Sequence, residues 1–196
     1  SSAGLDTNYV PGELDVIAAD GRAFFARFAP DSRGVGWYSF DRQGVHFVAL
    51  VNVIGLKAGG MGYLGDTQLA WLAADLKGRS RSTPLVVFTH MPLWSVYPAW
   101  GWGTDDGERA LALLRPFGSV TVLNGHIHQV LQKVEGNVRL QTAMSTAYPQ
   151  PAPGDGPGPG PLKVDASQLR QALGIRRVDF TALDGTPMLS DTSLAS

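Results

Sequence analysis

Four histidines stand in this chain of 196 residues, and three of them fall at one kind of place. His90 follows the apolar run Leu85-Val86-Val87-Phe88 after a single threonine, and His126 and His128 follow Val120-Thr121-Val122-Leu123 after Asn124-Gly125. Ligands of open α/β sheets gather outside the carboxyl ends of strands, so both positions are where sites are built. Two imidazoles at i and i+2 can be aimed from one tight loop into a shared cavity, and Gly125 removes a Cβ beside them. Imidazole suits Zn, Mn, Fe and Ni, and a cysteine-free chain with carboxylate partners favours the harder members of that set. Singly, each histidine also reads as a hydrogen-bonded loop residue; jointly the three point to a metal site. His46, inside an apolar strand with no partner pattern, is read as structural.

The elements that must position these residues can be read from periodicity and turn chemistry. Gly21 to Ala29 suits a short helix. Trp37 to Phe40 and Val45 to Val53 are β-rich runs joined by Asp41-Arg42-Gln43-Gly44, a hairpin signal in which Gly44 supplies a positive φ. Leu69, Leu72, Ala73 and Leu76 form one helical face, with Asp66 placed as the N-cap. Leu85 to Phe88 and Val120 to Leu123 are short strands of the fully buried kind, separated by a helix over Glu108 to Leu114 that Asp105 and Asp106 are expected to cap. A second hairpin spans Gln129 to Thr142. Residues 149–161 hold six prolines and four glycines, which excludes regular structure and leaves a loop. A helix at Ala166 to Leu173, a strand at Arg176 to Thr181, a turn at Asp184-Gly185 and a strand at Pro187 to Leu189 follow. Strands with intervening helices make the fold α/β or α+β.

Composition closes off several functions. Sixteen basic against 17 acidic residues leave no footprint for nucleic acid. No apolar run is long enough for a membrane-spanning helix. The absence of cysteine excludes thiolate zinc sites and thiol catalysis, and leaves both a cytoplasmic and an exported setting open. Nothing in the sequence sets an oligomeric state.

Phe88-Thr89-His90-Met91-Pro92 and Asn124-Gly125-His126-Ile127-His128 resemble the last two signatures of the calcineurin-like metallophosphoesterases, in order, strand-then-loop setting and intervening helix. Leu64 to Leu72 resembles the helix that precedes them, and the likeness takes in most of residues 11–148. It implies a four-layer αββα sandwich with mixed sheets, present here in part, and two divalent metal ions (Mn, Fe or Zn) between the sheets. By that resemblance His90 and His126 bind one ion and His128 the other. The pair holds a phosphate-ester substrate, a monoester or diester, and a bridging hydroxide that attacks phosphorus. Two cations suit this chemistry because they neutralise phosphate charge, lower the pKa of water and orient the displacement.

The departures from the family pattern are specific. Its opening Asp-x-His and Gly-Asp-x-x-Asp signatures are absent, and Gly65-Asp66 lacks the second aspartate and comes too late in the order. Gly12-Glu13-Leu14-Asp15 occupies the place of a Gly-Asn-His-Asp/Glu signature. Glu13 stands where an asparagine ligand belongs, and its carboxylate can bind a metal. Leu14 stands where a histidine assists the leaving group; it has no proton to give, so that role is vacant or filled elsewhere. Asp15 is expected behind the ligands or against substrate. Between the signatures, Trp94, Tyr97, Trp100 and Trp102 read either as a substrate wall, with Trp94 and Trp102 on it, or as a lid packed on the sandwich.

Residues 1–148 are therefore expected to be the carboxyl-terminal portion of such a domain. Residues 149–161 would be a loop, and 162–196 a helix and strand hairpin packed on the same domain. The complete fold would be roughly 250–300 residues, within the range of one domain. Two function classes follow. One is a metal-dependent phosphoesterase of which this chain carries part of the site; the other is a non-catalytic relative with a structural or binding role.

Overall fold

A computed structural model describes residues 7–16, 21–28, 36–56, 60–180 and 187–195. The chain folds as an α+β protein with mixed sheets. Its main sheet has six strands: β1 (Tyr38–Arg42), β2 (Val45–Ala49), β3 (Leu85–Thr89), β4 (Val120–Asn124), β5 (Gln132–Glu135) and β6 (Val138–Thr142), in the order β1-β2-β3-β4-β6-β5. The central strands β2, β3, β4 and β6 run parallel, and an antiparallel strand closes each edge. A second sheet of two antiparallel strands, β7 (Gly174–Phe180) and β8 (Pro187–Ser193), completes the β structure.

The helices are α1 (Glu13–Val16), α2 (Arg22–Phe28), α3 (Asp66–Leu76), α4 (Gly107–Leu114) and α5 (Ala166–Ala172). Of the apolar face predicted for α3, Leu69, Leu72 and Leu76 turn inward and pack with Ala110, Leu111 and Leu114 of α4 over Val48, Val87, Val122 and Leu140 of the sheet, whereas Ala73 is exposed and Gln68 is buried instead. Burying each such side chain stabilises the fold by about 1.5–3 kcal/mol, enough to override weak local preferences at the helix ends. On the opposite face, Phe47 of β2 meets Phe180 of β7 edge-on with ring centroids 6.0 Å apart.

Local chemistry differs from the sequence reading in places. The β1–β2 hairpin turns on two residues, Gln43 (φ 50°) and Gly44 (φ 79°), so Asp41 and Arg42 join β1, while β2 begins at Val45 as expected and ends at Ala49. Asp66 is not the N-cap of α3; Gly65 holds that position, and the Asp66 carboxylate pairs with Arg109 at 2.8 Å. Asp106 precedes α4 without capping it. Its carboxylate instead accepts the Leu64 and Gly65 N–H groups at 2.9 and 2.8 Å, so it caps the approach to α3 from across the fold. The Asp184-Gly185 turn lies outside the described residues. Residues 149–161 contain no helix or strand.

His46 is fully buried on β2, with its two ring nitrogens 2.9 Å from an Asp41 oxygen and 2.7 Å from an Asp75 oxygen. Carboxylates only accept, so both contacts are hydrogen bonds when the ring carries both protons. At Asp75 and Asp41 burial pushes the pKa up, but the His46 contact, with Ser39 and Arg79 in support, leaves both below the ordinary aspartate value. This network ties the outer hairpin to the end of α3.

Candidate metal centre

Three chain segments converge at the carboxyl edge of the main sheet. His90 follows Thr89, the last residue of β3, and Thr89 is registered opposite Asn124, the last residue of β4. The Gly125 N–H continues this ladder by donating to the His90 carbonyl at 3.0 Å. Two buried amides fix the His90 peptide: Asn124 Nδ2 donates to the carbonyls on either side, Thr89 and Met91, at 3.2 and 3.1 Å, and Asn52 Nδ2 donates to Met91 at 2.9 Å. The third segment is the single turn α1. Asp15 Oδ2 accepts the Gly12 N–H at 2.9 Å while the Asp15 N–H donates to the Gly12 carbonyl, a reciprocal cap that stabilises so short a helix. Val16 seats the turn among Trp37, Val51, Val53 and Met91.

The result brings Glu13, His90 and His126 together. Glu13 Oε2 lies 2.5 Å from His90 Nε2 and 3.4 Å from His126 Nδ1, and the two ring nitrogens are 3.2 Å apart. Glu13 Oε2 is buried, yet neither imidazole meets it in good hydrogen-bonding geometry. Donors bound at about 2.1 Å in a tetrahedral site sit about 3.4 Å from one another; the His126 separations of 3.4 and 3.2 Å approach that, the Glu13–His90 separation of 2.5 Å is shorter, and the donor types are ones that could hold a divalent ion. Burial pushes the Glu13 carboxyl toward a higher pKa. The facing His126 and His90 imidazoles outweigh that and hold it well below the usual carboxylate range, so the group is an anion.

His128 is not within the trio. Its Nδ1 lies 2.7 Å from the Tyr148 carbonyl and its ring packs on the Tyr148 ring, centroids 4.5 Å apart. The carbonyl accepts a hydrogen bond from Nδ1–H, and in the neutral ring that tautomer leaves the lone pair on Nε2. Burial lowers the His128 pKa, and the neighbouring His126 and His90 add to the effect, so the ring is held toward the neutral form a metal requires. Both loop histidines have left-handed backbones, φ 63° at His126 and 56° at His128, either side of the fully buried Ile127. Such conformations are unfavourable for residues with a Cβ, and tend to persist where surrounding structure enforces them.

The glycine that gives the imidazoles room is not Gly125. A Cβ there would stand 3.8 Å from His90 Nδ1, an ordinary contact. At Gly12 it would stand 3.0 Å from His90 Cε1 and 3.3 Å from Nδ1. Leu14 is exposed (73%) beside the cluster and Asp15 serves the α1 cap. Trp102 is fully buried against Trp100, and the partly buried Trp94 packs on the α3–α4 core. Sequence reasoning missed Asn52, Gly12 and Tyr148. Only Gly12 carried a signal, as the first residue of the Gly-Glu-Leu-Asp motif.

No protein-family model matches the chain. It is 34% identical over 114 residues to "Purple acid phosphatase 15" of Arabidopsis thaliana, a match that takes in 54% of this chain and 20% of that protein. It is also 34% identical over 90 residues to a 3′,5′-cyclic-nucleotide phosphodiesterase of Nostoc sp., covering 44% of this chain and 34% of that one. The matches thus span a fifth to a third of the relatives' lengths. Both relatives are named for cleaving phosphate esters, which supports the metallophosphoesterase resemblance at the superfamily level.

Proposed function

We propose that this chain carries part of the site of a metal-dependent phosphoesterase. The observation that supports it is the convergence of Glu13 Oε2, His90 Nε2 and His126 Nδ1 within 3.4 Å of one another, from three separate elements. Glu13, His90 and His126 would hold one divalent ion, and His128 would offer Nε2 to a second. The second ion's remaining ligands would come from residues outside this chain. Metal ions bound there supply charge neutralisation for a phosphate ester and an activated water for in-line displacement. The chain's own residues supply orientation: the Asn124 and Asn52 amides fix His90, and the Asp15 cap fixes Glu13.

A second reading is favoured by one observation. Leu14, exposed beside the ligands, has no proton to give a leaving group, as a site that binds metal without turnover would have. An ester with a 4-nitrophenolate leaving group, which departs unprotonated, therefore separates metal chemistry from the missing acid. We expect the chain to take up Mn²⁺ and a His126→Ala/His128→Ala protein to lose it. Hydrolysis of bis(4-nitrophenyl) phosphate above that variant supports the enzyme, and uptake without hydrolysis supports the second reading. Equal metal content and equal turnover in both proteins would sink the metal mechanism.

A further inference from the structure

The Pro/Gly-rich segment after β6 has a use the sequence did not suggest. Gln150, buried near its start (8% exposed), donates from Nε2 to the His126 carbonyl at 2.5 Å and accepts the Gly160 N–H on Oε1 at 3.0 Å. One side-chain amide thus joins the histidine loop to the far end of the proline-rich segment. The next carbonyls along do similar work. Gln129 Nε2 donates to the carbonyls of Gln150 and Pro151, Tyr148 O holds His128 Nδ1, and the Leu162 N–H closes the segment on Pro149 O at 2.8 Å.

These contacts fall on His126 and His128, both of which have left-handed backbones. The His126 peptide is held in its left-handed conformation partly by the amide on its carbonyl, and the direction of the His126 ring follows from that backbone. From this we infer that residues 148–162 are a fixed brace for the His126–His128 loop, and that Gln150 is the positioning residue that aims the His126 imidazole at Glu13 and His90. The inference rests on the metal-site reading for its consequence and on the hydrogen bonds alone for its geometry. Prolines serve such a brace because a stiff segment loses little further entropy when its ends are pinned.

The test compares Gln150→Met, which keeps volume and removes both hydrogen bonds, with Gly158→Ala, where a Cβ meets nothing within 4 Å. Supporting residues of this kind typically change metal affinity about 10–100-fold. We expect Gln150→Met to weaken Co²⁺ binding by that factor and to alter the visible absorption of the Co²⁺-saturated protein, and Gly158→Ala to change neither. Imidazole ¹⁵N shifts of His126 and His128, read by NMR without metal, are expected to move in Gln150→Met. A Gln150→Met protein with unchanged imidazole shifts overturns the brace. If the starting chain binds no Co²⁺, the metal reading fails while those shifts still decide for or against the brace. If Gln150→Met does not fold, Gln150→Glu, which removes the donor to His126 and retains an acceptor for Gly160, is read in the same way.

Discussion

Replacing Gly12 by alanine should disturb the metal centre without touching any ligand, and replacing Gly125 should not. The Gly12 Cβ would lie 3.0, 3.3 and 3.4 Å from three atoms of the His90 ring, so the whole ring, not one flexible tip, has to retreat by a few tenths of an ångström. His90 has little freedom to do so, because the Asn124 and Asn52 amides fix the peptides on both sides of it. Overpacking of this kind costs about 1–3 kcal/mol. If about half of that falls on the ring position rather than on α1, about 0.5–1.5 kcal/mol, divalent-metal affinity drops about 2- to 12-fold, since 1.4 kcal/mol is a factor of ten. Alanine also caps a helix less well than glycine, so part of any fall in melting temperature belongs to α1. Affinity is therefore the deciding quantity. Calorimetric titration of Mn²⁺ into Gly12→Ala, Gly125→Ala and the starting protein measures it. An affinity in Gly12→Ala within twofold of the starting protein, or a loss in Gly125→Ala equal to that in Gly12→Ala, would refute the steric argument.

The buried His46 gives a pH-dependent prediction. Asp75→Asn replaces the carboxylate that His46 Nε2 and Ser39 Oγ contact with a neutral amide and should lower the stability measured by urea unfolding at neutral pH by about 1.5–3 kcal/mol, the range for hydrogen bonds to a charged group. Asp75 and Asp41 titrate below the ordinary aspartate value of 3.8 when folded, so the unfolded chain binds more protons in that window and stability rises with pH across it. The gap between the starting protein and Asp75→Asn should accordingly shrink as pH falls below 3.8; a gap that widens there contradicts the pairing. Asp106→Ala orphans two backbone N–H groups ahead of α3 and should cost about 1–3 kcal/mol in the same unfolding assay; a loss under about 0.5 kcal/mol contradicts that role.

The parts of the fold legible in the sequence are those where one residue's type decides a local outcome. Leu85 to Phe88 and Val120 to Leu123 read as buried strands because all but Thr121 of their residues are apolar, and the structure makes them the centre of the sheet. Leu69, Leu72 and Leu76 recur at helical spacing, and that face turned inward. The histidines were legible for the same reason: a polar residue directly after a buried strand can only lie at the sheet's edge. Asp66 and Asp106 were misread because a capping residue is recognised by its neighbours in sequence. Here the N–H groups before α3 are satisfied by a carboxylate more than forty residues away, and no local rule distinguishes that from an unused cap.

The same reasoning explains why ligands were easier to read than the groups that aim them. A ligand must have the right donor atom, which restricts it to a few residue types; a supporting residue needs only an amide or a carbonyl in the right place. Tyr148 acts through its backbone carbonyl, so its side chain carries no trace of the hydrogen bond to His128, and any residue there could supply it. Gln150 lies 24 residues beyond His126, in a segment whose prolines argue for irregular structure and nothing more. Gly12 is the instructive case. The sequence offered two glycines next to the candidate ligands, and proximity in the chain favoured Gly125. Proximity in space belongs to Gly12, because α1 crosses the end of β3 and brings its backbone against the His90 ring. A glycine's lack of a side chain has a meaning only relative to what packs on it, so its role becomes readable once the fold supplies the neighbour.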